Sequence, residues 1–425
     1  MADFNKMEKA YKLAQECYAQ LGVNTDRVLA ELRNISLSLH CWQGDDVCGF
    51  ENPDASLSGG GIQVTGNFPG KATTAEELRM DLKKAYSLIP GKHRLNLHAI
   101  YGEFEGKSVD RDEIRPEHFR TWIDWVSQEE LKLDFNATCF SHPKANNGFT
   151  LSSKNRGVRD FWIEHVHRCR EISSIIGKSQ KNPCIHNLWI PDGSKDLTVE
   201  GWTYRSFLKE SLDKIYEYEY PSTEMKDSLE SKLFGIGSEC FVAGSHEFYL
   251  GYALTKGKMI CLDTGHFHPT ESVADKISSV LLFFDEMLLH ISRGVRWDSD
   301  HVVILNDEVR SIAKEIVRGK VLSRMHFGLD FFDASINRIG AWVIGARAVL
   351  KAFLLALLEP HQILKEAEET GDNFYRLATL EENKSMPFHA VWDYYCLKMA
   401  VPPADLWISE IKQYENDVTN KRSKS

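Results

Sequence analysis

Met259-Ile-Cys-Leu-Asp-Thr-Gly-His-Phe-His-Pro269 decides how this chain is read. An apolar run, Met259 to Leu262, ends in an acid, a turn and two imidazoles. A parallel strand buried on both faces reads as a short continuous apolar run, and the polar residues after it mark where the strand leaves the core. Asp263 and His266 therefore stand at a strand end. A second cluster, Trp297-Asp-Ser-Asp-His301, follows further along. Carboxylates alternating with imidazole at strand ends build oxygen- and nitrogen-rich metal sites.

Outward from this stretch, strand-like and helix-like segments alternate. Candidate strands are 35–42, 94–101, 132–140, 184–190, 230–236, 259–263, 290–297 and 328–332. Helical patterns fill 75–88, 115–130, 157–177, 202–218, 245–255, 271–289 and 307–319. Strands alternating with helices place the chain in the α/β class and suggest a (β/α)8 TIM barrel, with an open doubly wound sheet as the alternative. Beyond Phe332 the pattern changes to one long apolar helix, 336–358, and then further helices over 362–425. The expected division is a catalytic barrel with an N-terminal helix over 1–340 and a C-terminal helical extension over 341–425 that clasps a neighbouring subunit. The glycine-rich loop 43–71 reads as a lid over the barrel mouth or as a plain surface loop.

The composition excludes several classes. The 425 residues are 43% hydrophobic and 26% charged, as in an ordinary globular chain, with a net charge of −10. That balance argues against a nucleic-acid partner, which would want a basic face. The nine cysteines are an odd number and show no CxxC spacing, so neither a disulfide framework nor a thiolate zinc site is expected. The segment 1–22 is an amphipathic helix carrying Lys6, Glu8, Lys9 and Glu16, unlike a signal peptide. The apolar stretch 340–358 carries Arg347 and Lys351, which suits a buried helix better than a membrane span. A cytoplasmic protein without a membrane partner is expected.

The polar residues of interest fall near strand ends. Glu230 and Lys232 stand at the fifth strand with i, i+2 spacing, on one face. Asp263 and His266 follow the sixth, Asp298 and Asp300 close the seventh, His290 opens that segment, and Asp330 lies in the eighth. Earlier strands offer His40, His98 and Trp189. Taken singly, each has a local reading: an Asp after a strand caps a helix or turn, His290 is a core histidine, Lys232 a solvated strand residue, and Trp189 core. Taken together, Glu230, Asp263, Asp298, Asp300 and Asp330 would crowd one cleft and repel unless two divalent cations relieved them. Carboxylate and imidazole ligands suit manganese, magnesium, cobalt or zinc.

The segments Ser38-Leu-His-Cys-Trp-Gln-Gly-Asp-Asp46, Ser58-Gly-Gly-Gly-Ile-Gln-Val-Thr-Gly66, Leu95-Asn-Leu-His-Ala-Ile-Tyr101, Leu262-Asp-Thr-Gly-His-Phe-His-Pro269 and Arg296-Trp-Asp-Ser-Asp-His301 resemble the L-rhamnose isomerase family. The resemblance runs over essentially the whole chain. It implies a cytoplasmic homotetramer of (β/α)8 barrels that interconverts L-rhamnose and L-rhamnulose with Mn2+. Carried over, His266, Asp298 and Asp300 match ligands of a catalytic ion. Glu230, Asp263, His290 and Asp330 match those of a structural ion, with Asp263 able to bridge the two. Lys232, His98 and Trp189 match positions lining the sugar. Lys232, Asp330 and His98 are thus the expected catalytic residues, and Trp189, His98, Lys232 and Glu230 the expected substrate contacts.

The implied chemistry is an intramolecular oxidoreduction by a metal-assisted 1,2-hydride shift, with a cis-enediol route as the fallback. Lys232 would stabilise charge on the carbonyl oxygen, Trp189 would pack on the sugar, and His98 would bond the ring oxygen or O5. The alternatives are a divalent-metal barrel hydrolase and an isomerase acting mainly on another aldose, such as L-mannose or D-allose.

Overall fold

The computed structural model describes residues 4–51, 66–232, 239–268, 270–295 and 300–422. Eight strands form the barrel, in chain order: β1 (Leu37–His40), β2 (Arg94–His98), β3 (Lys132–Asn136), β4 (Cys184–Leu188), β5 (Met225–Glu230), β6 (Met259–Asp263), β7 (Met287–Ile291) and β8 (Met325–Leu329). Each pairs in parallel with its neighbour in sequence, and β8 returns to β1 through Leu37↔Phe327 and Ser38↔Gly328. The barrel is closed, so the open sheet is excluded.

The last four strands carry the site, and three of them lie earlier in the chain than the sequence pattern suggests. The fifth ends, rather than begins, at Glu230. Its polar run Lys226-Asp-Ser228 looks like a loop. Asp227 is nevertheless buried, because it takes a two-pronged ion pair from Arg170 at 3.0 and 2.9 Å. The seventh strand starts at Met287, so His290 is its penultimate residue, and the helix expected over 271–289 stops at Leu281. The eighth ends at Leu329, so Asp330 follows it. Each shift moves the site residue onto the C-terminal rim, where barrel active sites form.

Alternation sets the inside from the outside. Ile185, Met259, Cys261 and Leu288 form a small apolar cluster separate from the main core, which is the floor of the barrel interior. Two residues further along the same faces come Asn187, Asp263 and His290. Register sets the last two side by side, Asp263↔His290, and pairs His290 with Gly328.

The helix Arg338–Leu357 is almost wholly buried against the helices Asp307–Arg318 and Ala75–Tyr86. It completes the outer ring, and a boundary at residue 340 would fall inside it. Among the described residues it is also the one helix long and apolar enough to cross a membrane. Its Arg347 bonds the Leu88 carbonyl at 2.9 Å. Further helices follow, among them His361–Glu369, Asn373–Asn383, Phe388–Lys398 and Leu406–Tyr414. Of the glycine-rich loop, residues 52–65 lie outside the described residues.

Candidate active site and metal centre

Four strand ends converge. Glu230 ends β5, Asp263 ends β6, His290 is next to last in β7, and Asp330 follows β8. His290 Nδ1 lies 3.2 Å from Glu230 Oε2, 3.0 Å from Asp330 Oδ2 and 3.9 Å from Asp263 Oδ2. Neither ring nitrogen of His290 is aligned for a hydrogen bond within the protein, and Asp263 Oδ2 is likewise buried without a partner. Neighbouring ligand atoms around an octahedral ion at about 2.1 Å stand about 3 Å apart. Close, unaligned oxygens and nitrogens at such spacings fit a cation better than a hydrogen-bond network. A second group, Asp263, His266 and Asp300, brings one donor atom of each within 4.8 Å of the others. Asp263 belongs to both groups. Asp298 lies outside the described residues.

The Asp263-Thr-Gly-His266 turn shows how one strand end serves two groups. Asp263 Oδ1 accepts from Gly265 N at 2.6 Å and Ser292 Oγ at 3.1 Å, which leaves Oδ2 to the cluster. Thr264 locks the turn to β7 by exchanging bonds with Ser292, its hydroxyl donating to the carbonyl at 2.7 Å and accepting from the amide at 2.8 Å. A Cβ on Gly265 would sit 2.6 Å from Ser292 Oγ, so only glycine allows this approach. His266 Nδ1 bonds the Ser231 carbonyl at 2.8 Å, so Nδ1 carries the proton and Nε2 is the nitrogen with a lone pair to give.

Charge explains what the cluster needs. Burial raises the Asp263 carboxyl to about 8, His266 opposes this, and the neighbouring Asp330 and Glu230 push it further up. Burial disfavours a charged His290, yet Cys261, Glu230 and Asp330 together outweigh it and hold the ring well above its ordinary value. Burial also works against an ionised Asp330, and the neighbouring His290 prevails and keeps it low. Without cations the site must hold protons; with them it can be fully ionised.

The sequence did not point to Asn187, whose amide bonds Glu230 Oε2, or to Gly328. A Cβ on Gly328 would come 2.9 Å from His290 Cδ2. Gly328→Ala is therefore expected to displace the imidazole, to cost about 1–3 kcal/mol in urea unfolding and to weaken ion retention.

On the other side of the mouth, Trp42 packs edge-on to His98 with ring centroids 4.6 Å apart. His98 meets Phe140 at 5.8 Å, and Phe140 meets Trp189 at 5.9 Å. Trp189 is half-buried, so the reading of it as core gives way to a place in this aromatic wall. His98 Nδ1 lies 2.9 Å from Thr138 Oγ1 and Nε2 lies 3.4 Å from Asn136 Nδ2. Burial lowers its pKa to about 3, so the ring is neutral, and Asn136 donating to Nε2 places the proton on Nδ1. Lys232 lies beyond β5 and is buried, not solvated: its ammonium donates to Pro191 O at 2.7 Å and pairs with Glu239 at 2.6 Å. His40 is buried against Phe331, His268 is exposed, and His301 pairs its backbone with Arg293.

The L-rhamnose isomerase (RhaA) family model matches residues 5–422. An L-rhamnose isomerase of Rhodopirellula baltica is 55% identical over 419 residues, 99% of this chain and 98% of that protein. One from Bacteroides thetaiotaomicron is 56% identical over 416 residues, 98% of this chain and 99% of that protein. Among solved structures, an L-ribulose 3-epimerase covers 79% of this chain and 98% of its own, with a TM-score of 0.45 and 11% identity. A closed parallel barrel whose rim gathers carboxylates and imidazoles, and a match that spans nearly every residue, lead to one conclusion: this chain belongs to the L-rhamnose isomerase family.

Proposed function

We propose that the chain interconverts L-rhamnose and L-rhamnulose, as an aldose–ketose isomerase of rhamnose metabolism that uses two divalent ions, manganese foremost. The observation that carries this reading is the rim cluster with its unpartnered Asp263 Oδ2 and His290 nitrogens, in a chain similar throughout to proteins named for that reaction. A divalent ion bound there supplies Lewis acidity that polarises the C1 carbonyl and acidifies the C2 hydroxyl. Glu230, Asp263, His290 and Asp330 would hold one ion, and His266 and Asp300, with Asp298, the other. Zinc, cobalt or magnesium would suit the same donors.

The remaining residues hold and shield the sugar. Trp42, His98, Phe140 and Trp189 present an apolar wall that excludes water from the open-chain aldose. Lys232 has three ammonium donors, two of them taken by Pro191 O and Glu239, which leaves one for the substrate oxygen. With both nitrogens already engaged and the ring neutral, His98 is better suited to orienting the sugar through the wall than to moving its proton.

Hydrogen passes from C2 to C1 with its electron pair, while a proton passes from O2 to O1. Running the reaction in heavy water is expected to leave C1 of the ketose essentially free of deuterium by mass spectrometry. Extensive incorporation would favour the enediol route. Assays of L-rhamnose, L-mannose and D-allose side by side test the substrate, with the highest kcat/KM expected for L-rhamnose.

The same reading makes the protein a cytoplasmic homotetramer without nucleic-acid or membrane partners. Phe374 and Leu377, 83% and 62% exposed on the helix Asn373–Asn383, support a subunit contact made by the C-terminal helices. Light scattering gives the assembly directly.

A further inference from the structure

We propose that Glu239 is a positioning residue that acts through Lys232. A lysine is a compact charge on a flexible stem, and an unheld ammonium spends its time among many rotamers. Here it is held from two sides. Lys232 is 3% exposed, its Nζ lies 2.7 Å from Pro191 O and 2.6 Å from Glu239 Oε1, and its own amide donates to Gly244 O at 3.1 Å. Pro191 lies on the loop after β4, whereas Glu239 lies on the segment after β5.

A short antiparallel pair joins these two segments, Gly193↔Val242 and Ser194↔Phe241, and Cys240 N adds a bond to Ser194 O at 3.1 Å. The pairing fixes Glu239 against the lysine. The second carboxylate oxygen of Glu239 is buried and has no hydrogen-bond partner among the described residues. A half-buried acid with one oxygen shut away from solvent and unused is poorly built as a mere structural tie. It is well built to hold an ammonium in one place while its remaining N–H points elsewhere. Asp192, next in chain to Pro191, anchors the loop itself by accepting from Thr150 and Ser152.

The inference rests on the isomerase reading for its kinetic readout, and a chemical readout stands apart from it. In kinetics, Glu239→Ala is expected to lower kcat at least about tenfold, as misplacement of a reacting group does, with Glu239→Asp recovering part of the loss. In a Lys232→Met background the same Glu239→Ala change should alter kcat by less than about twofold, since the group it acts through is gone. In chemistry, acetylation by N-hydroxysuccinimide acetate is followed by peptide mass spectrometry, with the exposed Lys92 as internal reference. Lys232 labelling should rise several-fold in Glu239→Ala while the thermal midpoint shows the variant folded. Full multiplication of the two mutational effects, or unchanged Lys232 labelling, overturns the proposal. If the wild type isomerises no aldose, the isomerase reading fails and the labelling still decides the role of Glu239.

Discussion

Excess chelator is expected to slow L-rhamnose isomerisation by at least about a thousandfold, and added manganese to restore it. The size follows from the several kcal/mol that a Lewis acid supplies to a developing oxyanion, at about 1.4 kcal/mol per decade of rate. No group among the described residues at the rim could replace it. Among the described residues Lys232 brings an ammonium to the mouth, and two of its donors are already taken. The carboxylates have the wrong charge. Ion removal should also leave a protonic signature. Without ions, the Asp263 carboxyl, raised to about 8 by burial and by its acidic neighbours, holds a proton at pH 7. Adding manganese to stripped protein in weak buffer should release protons, and calorimetry in two buffers of different ionisation heat measures them. Undiminished turnover in excess chelator would refute this.

The largest expected loss of stability comes from the outward face of β5. Arg170→Leu is expected to cost about 3–5 kcal/mol in urea unfolding, because it strips the two-pronged partner from a buried Asp227 carboxylate. Lys258, 3.4 Å from the same carboxylate, moderates the loss but cannot reproduce the fork. The pH dependence has a definite sign. Burial opposes ionisation of Asp227, but His186 and Arg170 overcome it and hold the carboxyl far below its ordinary 3.8. A depressed carboxyl stabilises the fold above its unfolded value, and the contribution is lost as pH falls through the folded one. Wild-type stability should therefore drop as pH falls below 3.8, and that acid-dependent part should be smaller in Arg170→Leu. The site lies on the opposite face of the same strand, so Glu230 should shift with it and activity should fall as well.

The barrel and the site were legible where residues obeyed a simple period. Met259–Asp263 is apolar up to its closing acid, buried throughout, and ends where its pattern says. The fifth strand was misplaced because its register depends on partners far away in sequence. Asp227 is tolerable in a strand only because Arg170 arrives from the helix Arg156–Gln180, and Lys226 because Glu286 meets it at 2.6 Å. No local pattern contains those pairings. Asp263, His266, His290 and Asp330 were recognisable by ligand chemistry, even though His290 and Asp330 were assigned to strands drawn three residues too late. Residues that shape the ligands were not legible. Gly328 matters through the space it leaves for His290, and Asn187 through one bond to Glu230; neither carries chemistry of its own. Lys232 stands out in the sequence by its spacing from Glu230, but its burial depends on the Pro191 carbonyl, which only the fold supplies.

The most direct test of the shared-carboxylate arrangement is elemental analysis of dialysed protein, wild type against Asp263→Ala. Because Asp263 belongs to both donor groups, the wild type should retain two divalent ions per chain and the variant fewer than one, with its fold intact by circular dichroism. Two ions retained by Asp263→Ala, or none by the wild type, would contradict the two-ion site.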